Sequence, residues 1–286
     1  MIKAAALFLA FALSSCATAP EASHDIVLPS AFRDGAAFIQ VSVNGAPPRW
    51  MGLDDGTSPS VLDLDYAKSL GLTLKPGAGA GTGFGTQKIQ FFNTIVDIAS
   101  GEATRNHVDF SAAPLTGMTG PDGQPLAGVV GYSLLKDRIL VIDYKAATIA
   151  FVASSERRDG DIPMGMDNLI PTVPITVAGH PLTALIDTGG AYELLVTPKG
   201  VAAAGLQAYV DRATPVTGYG YAGAQAVRVG SAPDVTVGLV SHANPVTVYS
   251  TFGTAPLKSQ AAIGYQFLRH YRVTLNYRAR TVRLEP

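Results

Sequence analysis

The chain has 286 residues, of which 47% are hydrophobic and only 15% are charged, and its net charge at pH 7 is −1. This composition allows a sizeable core and excludes a largely disordered chain. The chain also has no long run of like charge, which excludes a basic nucleic-acid-binding surface. The 30 glycines and 19 prolines predict many turns, as is typical of all-β proteins with short strands.

The first residues predict an export signal outside the fold. The sequence "MIKAAALFLAFALSSC" has one lysine, an apolar stretch too short for a permanent transmembrane helix, and small residues before Cys16. Its end resembles the lipobox of bacterial lipoproteins, in which Cys16 is lipidated; the alternative is cleavage after Ala19 at an A-x-A pattern. We therefore expect a lipoprotein signal peptide at residues 1–15, a tether at residues 16–35 and an exported protein anchored at the cell envelope.

The rest of the chain is an internal repeat. The segment "VSVNGAPPRWMGLDDG" at residues 41–56 matches "ITVAGHPLTALIDTGG" at residues 175–190. Each predicts a hairpin whose second strand runs into an aspartate and a glycine. A short helix follows in each half. Asp63 or Asp65 is the possible N-cap of the first helix, and Thr197 is that of the second.

The spacing of the repeat fixes its register. Gly131 follows Asp54 by 77 residues, and Gly264 follows Asp187 by 77 residues, so Asp54 is the counterpart of Asp187. The two copies predict an N-terminal lobe and a C-terminal lobe joined by a charged linker. Their expected bounds are residues 36–153, 164–286 and 154–163, respectively.

These motifs resemble those of the pepsin and retropepsin superfamily of aspartic proteases, and in particular the bacterial two-lobe aspartyl protease family. The resemblance covers roughly residues 36–286. It is carried by Asp187-Thr188-Gly189, its variant Asp54-Asp55-Gly56, and the segments Val129-Val130-Gly131 and Ala262-Ile263-Gly264. It implies an all-β fold of two homologous β-barrel lobes, related by a pseudo-two-fold axis and containing few short helices.

Two aspartates held face to face can hydrolyse a peptide bond. Carboxylates about 3 Å apart cannot both ionise and therefore share one proton. The ionised member takes a proton from a water that attacks the peptide carbonyl, and the protonated member polarises that carbonyl. We predict Asp54 and Asp187 as this catalytic pair. The reaction needs no cofactor, and the scattered histidines predict no metal site.

Asp55 departs from the family pattern. In the family, the threonine of Asp-Thr-Gly donates its hydroxyl to the backbone of the opposite loop; Thr188 can do this, but an ionised Asp55 cannot. A buried unpaired carboxylate would cost several kcal/mol. We therefore expect Asp55 either to be protonated or to point elsewhere. Gly56 and Gly189 complete the predicted support of the pair.

A second asymmetry follows the glycine of each motif. Thr57 can donate to the outer oxygen of Asp54, whereas Gly190 offers Asp187 no side-chain donor. The resulting hypothesis is that Asp54 tends to be the ionised member of the pair, against the opposing charge of Asp55.

A Gly-rich stretch follows the helix in each half. The resemblance implies two hairpin flaps over an extended peptide, although both stretches are also compatible with simple Gly-rich hairpins. The flap residues would be Gly83, Phe84 and Gly85 in one half and Gly218, Tyr219 and Gly220 in the other. The expected partners are an extended peptide or protein substrate and, through Cys16, the membrane; no nucleic acid is expected, and a monomer is compatible with the sequence.

Three functions remain open at this stage. We predict an aspartic endopeptidase. The alternatives are a peptide-binding lipoprotein of the same fold with little or no catalysis, because Asp55 replaces the usual threonine, and a structural envelope lipoprotein.

Overall fold

A computed structural model describes residues 24–81, 89–220, 223–250 and 258–286. The predicted signal peptide, the lipidation site Cys16 and the flap residues Gly83, Phe84 and Gly85 lie outside these residues. Within the described part of the chain, none of the helices combines the length and the apolar character that crossing a bilayer requires.

Strands make up most of both halves. The N-terminal half contains β1 (Ile26–Val27), β2 (Ser30–Arg33), β3 (Ala36–Val43), β4 (Arg49–Leu53), β5 (Ser60–Asp63), α1 (Leu64–Ser69), β6 (Lys75–Gly81), β7 (Ile89–Ser100), β8 (Ala103–Ala113), β9 (Gly128–Val130), α2 (Tyr132–Leu135), β10 (Ile139–Asp143) and β11 (Thr148–Phe151). The C-terminal half contains β12 (Ile162–Pro163), β13 (Gly165–Asp167), β14 (Ile170–Val177), β15 (His180–Asp187), β16 (Leu194–Val196), α3 (Pro198–Ala203), α4 (Gln207–Arg212), β17 (Thr214–Gly220), β18 (Gly223–Ser231), β19 (Asp234–Val237), β20 (Val240–Ala243), β21 (Val246–Ser250), β22 (Ala261–Gly264), α5 (Tyr265–Leu268), β23 (Arg272–Asn276) and β24 (Thr281–Glu285). The predicted mostly-β fold with few short helices is confirmed.

The N-terminal lobe is an eight-stranded sheet in the order β2-β3-β4-β9-β5-β8-β7-β6. β3 also pairs with β7, with Val43 opposite Ile98, so six of these strands close into a barrel. Alternate residues of β3 point into this barrel, where Ile39 and Val41 are fully buried. The period-two pattern of the sequence therefore produces the interior of the lobe.

The C-terminal lobe repeats this plan with broken strands. Its sheet runs β17-β18-β21-β16-β22-β15-β14-β19-β20, and β13 pairs with β14. β18 and β19 are separated at Pro233, and β20 and β21 at Pro245, whereas their counterparts β7 and β8 are continuous. Proline has no backbone N–H to donate to a ladder, so a strand is interrupted where it occurs.

A third sheet joins the two halves in the order β1-β11-β10-β23-β24-β12. Its centre is the antiparallel pair β10 and β23, in which Ile139 lies opposite Asn276 and Asp143 opposite Arg272. The buried residues Leu140 and Leu275 of this pair belong to one apolar core that extends through both halves. The lobes are therefore joined by a shared sheet and a shared core.

The chain joins this sheet earlier than the sequence suggested. Residues 16–35 were expected to form a tether, but Ile26 pairs with Phe151 in the joining sheet, and Leu28 is buried in the core. Two apolar side chains that can be buried outweigh the entropy of a free tether. The expected linker at residues 154–163 likewise ends in a strand, because Ile162 pairs with Val282.

Local signals act as the sequence predicts at the two hairpins that lead to the aspartates. Asn44 and Gly45 have φ of 50° and 75°, and Ala178 and Gly179 have φ of 50° and 76°. Two consecutive left-handed residues match the right-handed twist of the flanking strands. Of the two candidate caps of α1, Asp63 is the one that accepts hydrogen bonds from the helix N terminus.

Candidate active site

Equivalent strands deliver the two aspartates. Asp54 lies one residue beyond β4, which pairs in parallel with β9, and Asp187 is the last residue of β15, which pairs in parallel with β22. The Asp54 N–H donates to the carbonyl of Val130 at 2.9 Å. Asp187 is in register with Gly264. Both side chains therefore leave the lobe at the same point of the repeated fold.

Packing requires a glycine directly after β9, at position 131, and at the end of β22, at position 264. A methyl group at Gly131 would lie 2.0 Å from the carbonyl oxygen of Thr57, and one at Gly264 would lie 2.3 Å from that of Tyr192. Both neighbours are backbone atoms of the aspartate loops, which cannot move away cheaply. The repeated apolar-apolar-Gly segments are thus the surfaces on which the two loops rest.

The structure brings Asp54 and Asp187 together. A methyl group at Gly56 would lie 3.0 Å from Oδ1 of both aspartates, and one at Gly189 would lie 2.6 Å from Cγ of Asp54. The two carboxyl groups therefore border the same space beside Gly56, close enough for the charge of Asp54 to act on Asp187. Each aspartate keeps 9% of its surface exposed, whereas Asp55 keeps none. The pair therefore faces the outside of the loop junction, and Asp55 lies behind it.

Asp55 and Thr188 connect the two loops across the pseudo-two-fold axis. The Asp55 N–H donates to Thr188 Oγ1 at 3.1 Å, and the Thr188 N–H donates to Asp55 Oδ1 at 2.7 Å. Thr188 Oγ1 lies 3.3 Å from the Leu53 carbonyl and 3.0 Å from Asp55 Oδ1, so its single proton can reach either oxygen. Asp55 accordingly takes the acceptor role of the missing threonine and remains part of the connection between the two loops.

The charge of Asp55 is strongly disfavoured. Burial raises its pKa from 3.8 to about 7, with a smaller increase from the charge of Asp54, while the backbone N–H of Thr188 lowers it. Its Oδ2 is buried and has no hydrogen-bond partner among the residues that the structure describes. Of the two expectations for Asp55, reorientation does not occur, and a neutral carboxyl is favoured below pH 7. The connection between the loops still lacks its second hydroxyl donor, because a protonated Asp55 Oδ2 has no acceptor beside it among the described residues.

The loops supply the pair with different donors. Gly56 N–H donates to Asp54 Oδ1 at 2.9 Å, and Thr57 Oγ1 donates to Asp54 Oδ2 at 2.7 Å. Asp187 Oδ2 accepts a hydrogen bond from the buried hydroxyl of Tyr192. The sequence reasoning missed Tyr192, because it compared only equivalent positions, and Tyr192 lies two residues beyond Gly190. Its signal was the coincidence of a missing side chain at 190 with a nearby tyrosine.

The pKa of Asp187 lies well above its ordinary value. Burial is the main cause, and the charge of Asp54 is the second; the hydrogen bond from Tyr192 acts in the opposite direction. Asp187 is therefore the member whose protonated form is favoured. That Asp54 is the ionised member stays a prediction.

The predicted flap residues are described only in the C-terminal lobe, where Gly218, Tyr219 and Gly220 lie in β17. This strand pairs with β18 from Thr214 opposite Val229 to Gly220 opposite Gly223. In the N-terminal lobe β6 pairs with β7 in the same position of the fold. Across the described ranges, no group of three or more histidine, cysteine, aspartate or glutamate residues could hold a metal ion.

Comparison with known proteins gives two findings. Residues 39–134 match the family model described as aspartyl protease. This segment includes Asp54, Asp55 and strand β9, which Gly131 follows. No curated protein sequence matches the chain.

Solved structures extend the likeness to the whole chain. The crystal structure of basic 7S globulin from soybean is similar with a TM-score of 0.51 and 12% sequence identity. The alignment covers 92% of this chain and 95% of the globulin chain. At this identity the likeness shows the fold alone, which is the two-lobe pepsin-like fold.

Proposed function

We propose that the protein is an aspartic endopeptidase acting on extended peptides, on the premise that residues 39–134 match the aspartyl protease family model. The observation that carries the proposal is the juxtaposition of the carboxyl groups of Asp54 and Asp187, whose Oδ1 atoms both lie 3.0 Å from a methyl group placed at Gly56. Equivalent strands of two lobes deliver the pair, and both side chains stay partly exposed. Two such carboxyls, one neutral and one ionised, are the acid and the base that peptide hydrolysis needs.

The geometry supports a division of roles within the pair. Gly56 N–H and Thr57 Oγ1 stabilise the charge of Asp54, so ionised Asp54 takes a proton from the attacking water. Asp187 gives its proton to the carbonyl oxygen as the water oxygen bonds to the carbonyl carbon. In the second step Asp54 returns its proton to the amide nitrogen, the carbon–nitrogen bond breaks, and Asp187 recovers a proton from the departing acid. Both aspartates thus end in their starting states.

Asp55 adds a pH limit to this chemistry. Its pKa of about 7 keeps it neutral in acid, so the site then carries only the one charge that the mechanism needs. Above pH 7 an ionised Asp55 places a second negative charge behind the pair and disfavours ionised Asp54. We therefore expect peptide hydrolysis to be strongest in the acidic range and to fall as the pH rises through about 7.

The test is hydrolysis of a peptide library by purified protein between pH 3 and pH 8. Asp54→Asn and Asp187→Asn are each expected to reduce kcat/KM by about 10²–10⁴-fold, the usual loss when a general acid or base is removed. Asp211→Asn, which removes an exposed carboxylate on α4, is the matched control. Cleavage that survives both dyad substitutions unchanged would exclude the proposed chemistry.

A peptide-binding protein without catalysis is the second candidate function. The observation that favours it is the buried, unpartnered Oδ2 of Asp55, because it leaves the loop connection without one of its two donors. Asp55→Thr separates the candidates: a large gain of cleavage from a nearly silent parent supports the binding protein. Inhibition of the parent by a statine-type transition-state analogue supports the enzyme.

The proposed site of action is the cell envelope, with a lipid anchor on Cys16. Its support is the apolar N-terminal stretch followed by "LSSC". Incorporation of labelled palmitate into the full chain, and its loss in Cys16→Ser, would establish the anchor. An unlabelled mature protein that begins after Ala19 would instead show ordinary secretion.

A further inference from the structure

We propose that Tyr192 is a positioning residue of the aspartate pair, which gives Asp187 the hydroxyl donor that Thr57 gives Asp54. The inference deepens the proposed function and rests on it for any effect of Tyr192 on peptide hydrolysis. It concerns the protonation of Asp187, however, which can be measured whether or not the protein cleaves peptides.

The contact itself has a direct counterpart in the other lobe. Thr57 Oγ1 donates to Asp54 Oδ2 at 2.7 Å, and the Tyr192 hydroxyl donates to Asp187 Oδ2. Gly190 is the backbone equivalent of Thr57, because Gly190 N–H donates to Asp187 O as Thr57 N–H donates to Asp54 O. Position 190 has no side chain, so the donor comes from two residues further along the chain.

The absence of a side chain at 190 is what admits the tyrosine. A methyl group at Gly190 would lie 2.5 Å from Cζ of Tyr192 and 2.7 Å from both its hydroxyl oxygen and Asp187 Oδ2. A methyl group at Gly264 would lie 2.7 Å from Cδ2 of Tyr192. The phenol ring thus occupies the space that two glycines leave open. A threonine at 190 and a tyrosine at 192 exclude each other sterically.

Packing holds the ring in this one orientation. Tyr192 is 6% exposed and belongs to a small apolar cluster separate from the main core. The other members of that cluster are Ile170, Leu185, Leu195 and Ala262. The backbone on either side of the ring is also fixed, because Tyr192 N–H donates to Gly190 O and Tyr192 O accepts from Gln266 N–H. A preorganised donor of this kind needs no rearrangement when the charge on Asp187 changes.

The charges around the ring keep its hydroxyl protonated. Asp187, Asp54 and Asp55 all face it, and burial together with these carboxylates raises its pKa well above 10. Tyr192 therefore remains a donor over the whole range in which the aspartates titrate. A donor to the ionised form of a carboxyl lowers the pKa of that carboxyl. Removal of the hydroxyl should raise the pKa of Asp187.

The experiment follows the carboxylic acid band of Asp187 by infrared spectroscopy as the pH is raised. Asp187→Asn identifies the band by removing it. In Tyr192→Phe the midpoint of its titration is expected to rise by about one pH unit, the size of a lost hydrogen bond to a charged group. Tyr249→Phe is the control, because it removes the hydroxyl of another buried tyrosine, which donates to the Ser231 carbonyl. This control should leave the midpoint unchanged.

A swap distinguishes positioning from packing. The double variant Gly190→Thr/Tyr192→Leu returns a hydroxyl to the position equivalent to Thr57, and Gly190 has no left-handed φ that would oppose a side chain. The swap is expected to bring the midpoint back towards that of the parent. Uniform incorporation of 3-fluorotyrosine, whose hydroxyl is a stronger donor, is expected to lower the midpoint without deleting any atom. This arm retains the test if Tyr192→Phe does not fold.

The outcomes separate this inference from the proposed function. If the parent cleaves peptides, Tyr192→Phe should lower kcat about ten-fold or more with little change in KM. If the parent cleaves no peptide but the midpoint of Asp187 is raised in Tyr192→Phe, the positioning role is retained and the peptidase proposal is rejected. An unchanged midpoint in folded Tyr192→Phe would overturn the inference even if the parent is fully active.

Discussion

The two aspartate loops use the same backbone and different side chains. In the N-terminal loop a threonine three residues after Asp54 donates to it, and in the C-terminal loop a tyrosine five residues after Asp187 does so. Two backbone hydrogen bonds, by contrast, are equivalent: Thr57 N–H to Asp54 O matches Gly190 N–H to Asp187 O, and Tyr132 N–H to Thr57 O matches Tyr265 N–H to Gly190 O. The comparison shows that the duplicated fold conserves where a donor must arrive and leaves open which residue provides it.

The connection between the loops shows the same separation of roles. Asp55 and Thr188 each accept the backbone N–H of the other, with distances of 2.7 Å and 3.1 Å. A buried N–H without an acceptor is costly, so the acceptor role survives on both sides. The donor role survives only at Thr188, since Oδ2 of Asp55 has no partner. Exchange of threonine for aspartate thus preserves the obligatory half of the connection.

The largest expected effect tests whether the lobes are equivalent at their supporting glycines. Gly131→Ala and Gly264→Ala should each destabilise the protein by at least about 3 kcal/mol or prevent folding, because the new methyl groups meet loop backbone at 2.0 and 2.3 Å. Gly52→Ala is the control, since its methyl group would have only ordinary contacts at 3.8 Å. Chemical denaturation measures all three, and a clear difference between the two lobes would contradict the equivalence.

The next effect isolates the charge at position 55. The pKa of Asp55 is raised from 3.8 to about 7, so the stability that it contributes is fully present below pH 3.8 and is lost as the pH rises through about 7. The loss is about 1.4 kcal/mol per pH unit in that interval, or on the order of 4 kcal/mol in total. Asp55→Asn should flatten the stability curve by this amount, as measured by thermal unfolding from pH 3.5 to pH 8.

Asp187 remains in both proteins, so the subtraction removes the part of its raised pKa that comes from burial and from Asp54, and leaves only the smaller part that the charge of Asp55 causes. A parent and an Asp55→Asn variant whose curves stay parallel across this range would show that Asp55 is already ionised in the fold.

A smaller effect tests the Thr188 hydroxyl, which is both the surviving donor of the connection and the acceptor of the Asp55 N–H. Thr188→Val removes the hydroxyl that accepts from the Asp55 N–H, and it leaves that buried N–H without its partner. The expected cost is about 1–3 kcal/mol in the free energy of unfolding. Thr236→Val, which removes an exposed hydroxyl paired with Ser241, is the control and should change stability by less than about 0.5 kcal/mol.

The smallest effect mirrors the proposed role of Tyr192 in the other lobe. Thr57→Val removes the hydroxyl donor of Asp54 but leaves the Gly56 N–H in place. Because one donor remains, the acidic limb of the pH profile should move upward by less than about one pH unit. An effect larger than that of Tyr192→Phe would show that the lobes differ in more than the source of the hydroxyl.

Much of this site could be predicted from the sequence. The equal spacing of the repeat identifies Asp54 as the partner of Asp187, and the structure places both at the ends of equivalent strands. The contact of Thr57 with Asp54 follows from local chain geometry, since only three residues separate them. Such features depend on short-range spacing, which the sequence records directly.

Other features depend on contacts that spacing does not record. The role of Tyr192 depends on the room left by Gly264, which is 72 residues away in the chain. The early entry of residues 26–28 into the fold depends on a partner strand at Thr148–Phe151. Neither could be read from a pattern of neighbouring residues.

The sequence by itself determined the duplication, the strand-turn-aspartate motif of each copy and the glycines that must follow, because these are set by periodicity and by backbone sterics. Tertiary structure alone decided the state of the charges. Asp55 is neutral in acid because the second lobe buries it and directs the Thr188 N–H at one of its oxygens. Asp187 keeps its proton because burial and, second to it, the charge of Asp54 disfavour its ionised form. Desolvation and charge proximity are properties of the assembled site, and they arise only when distant segments meet.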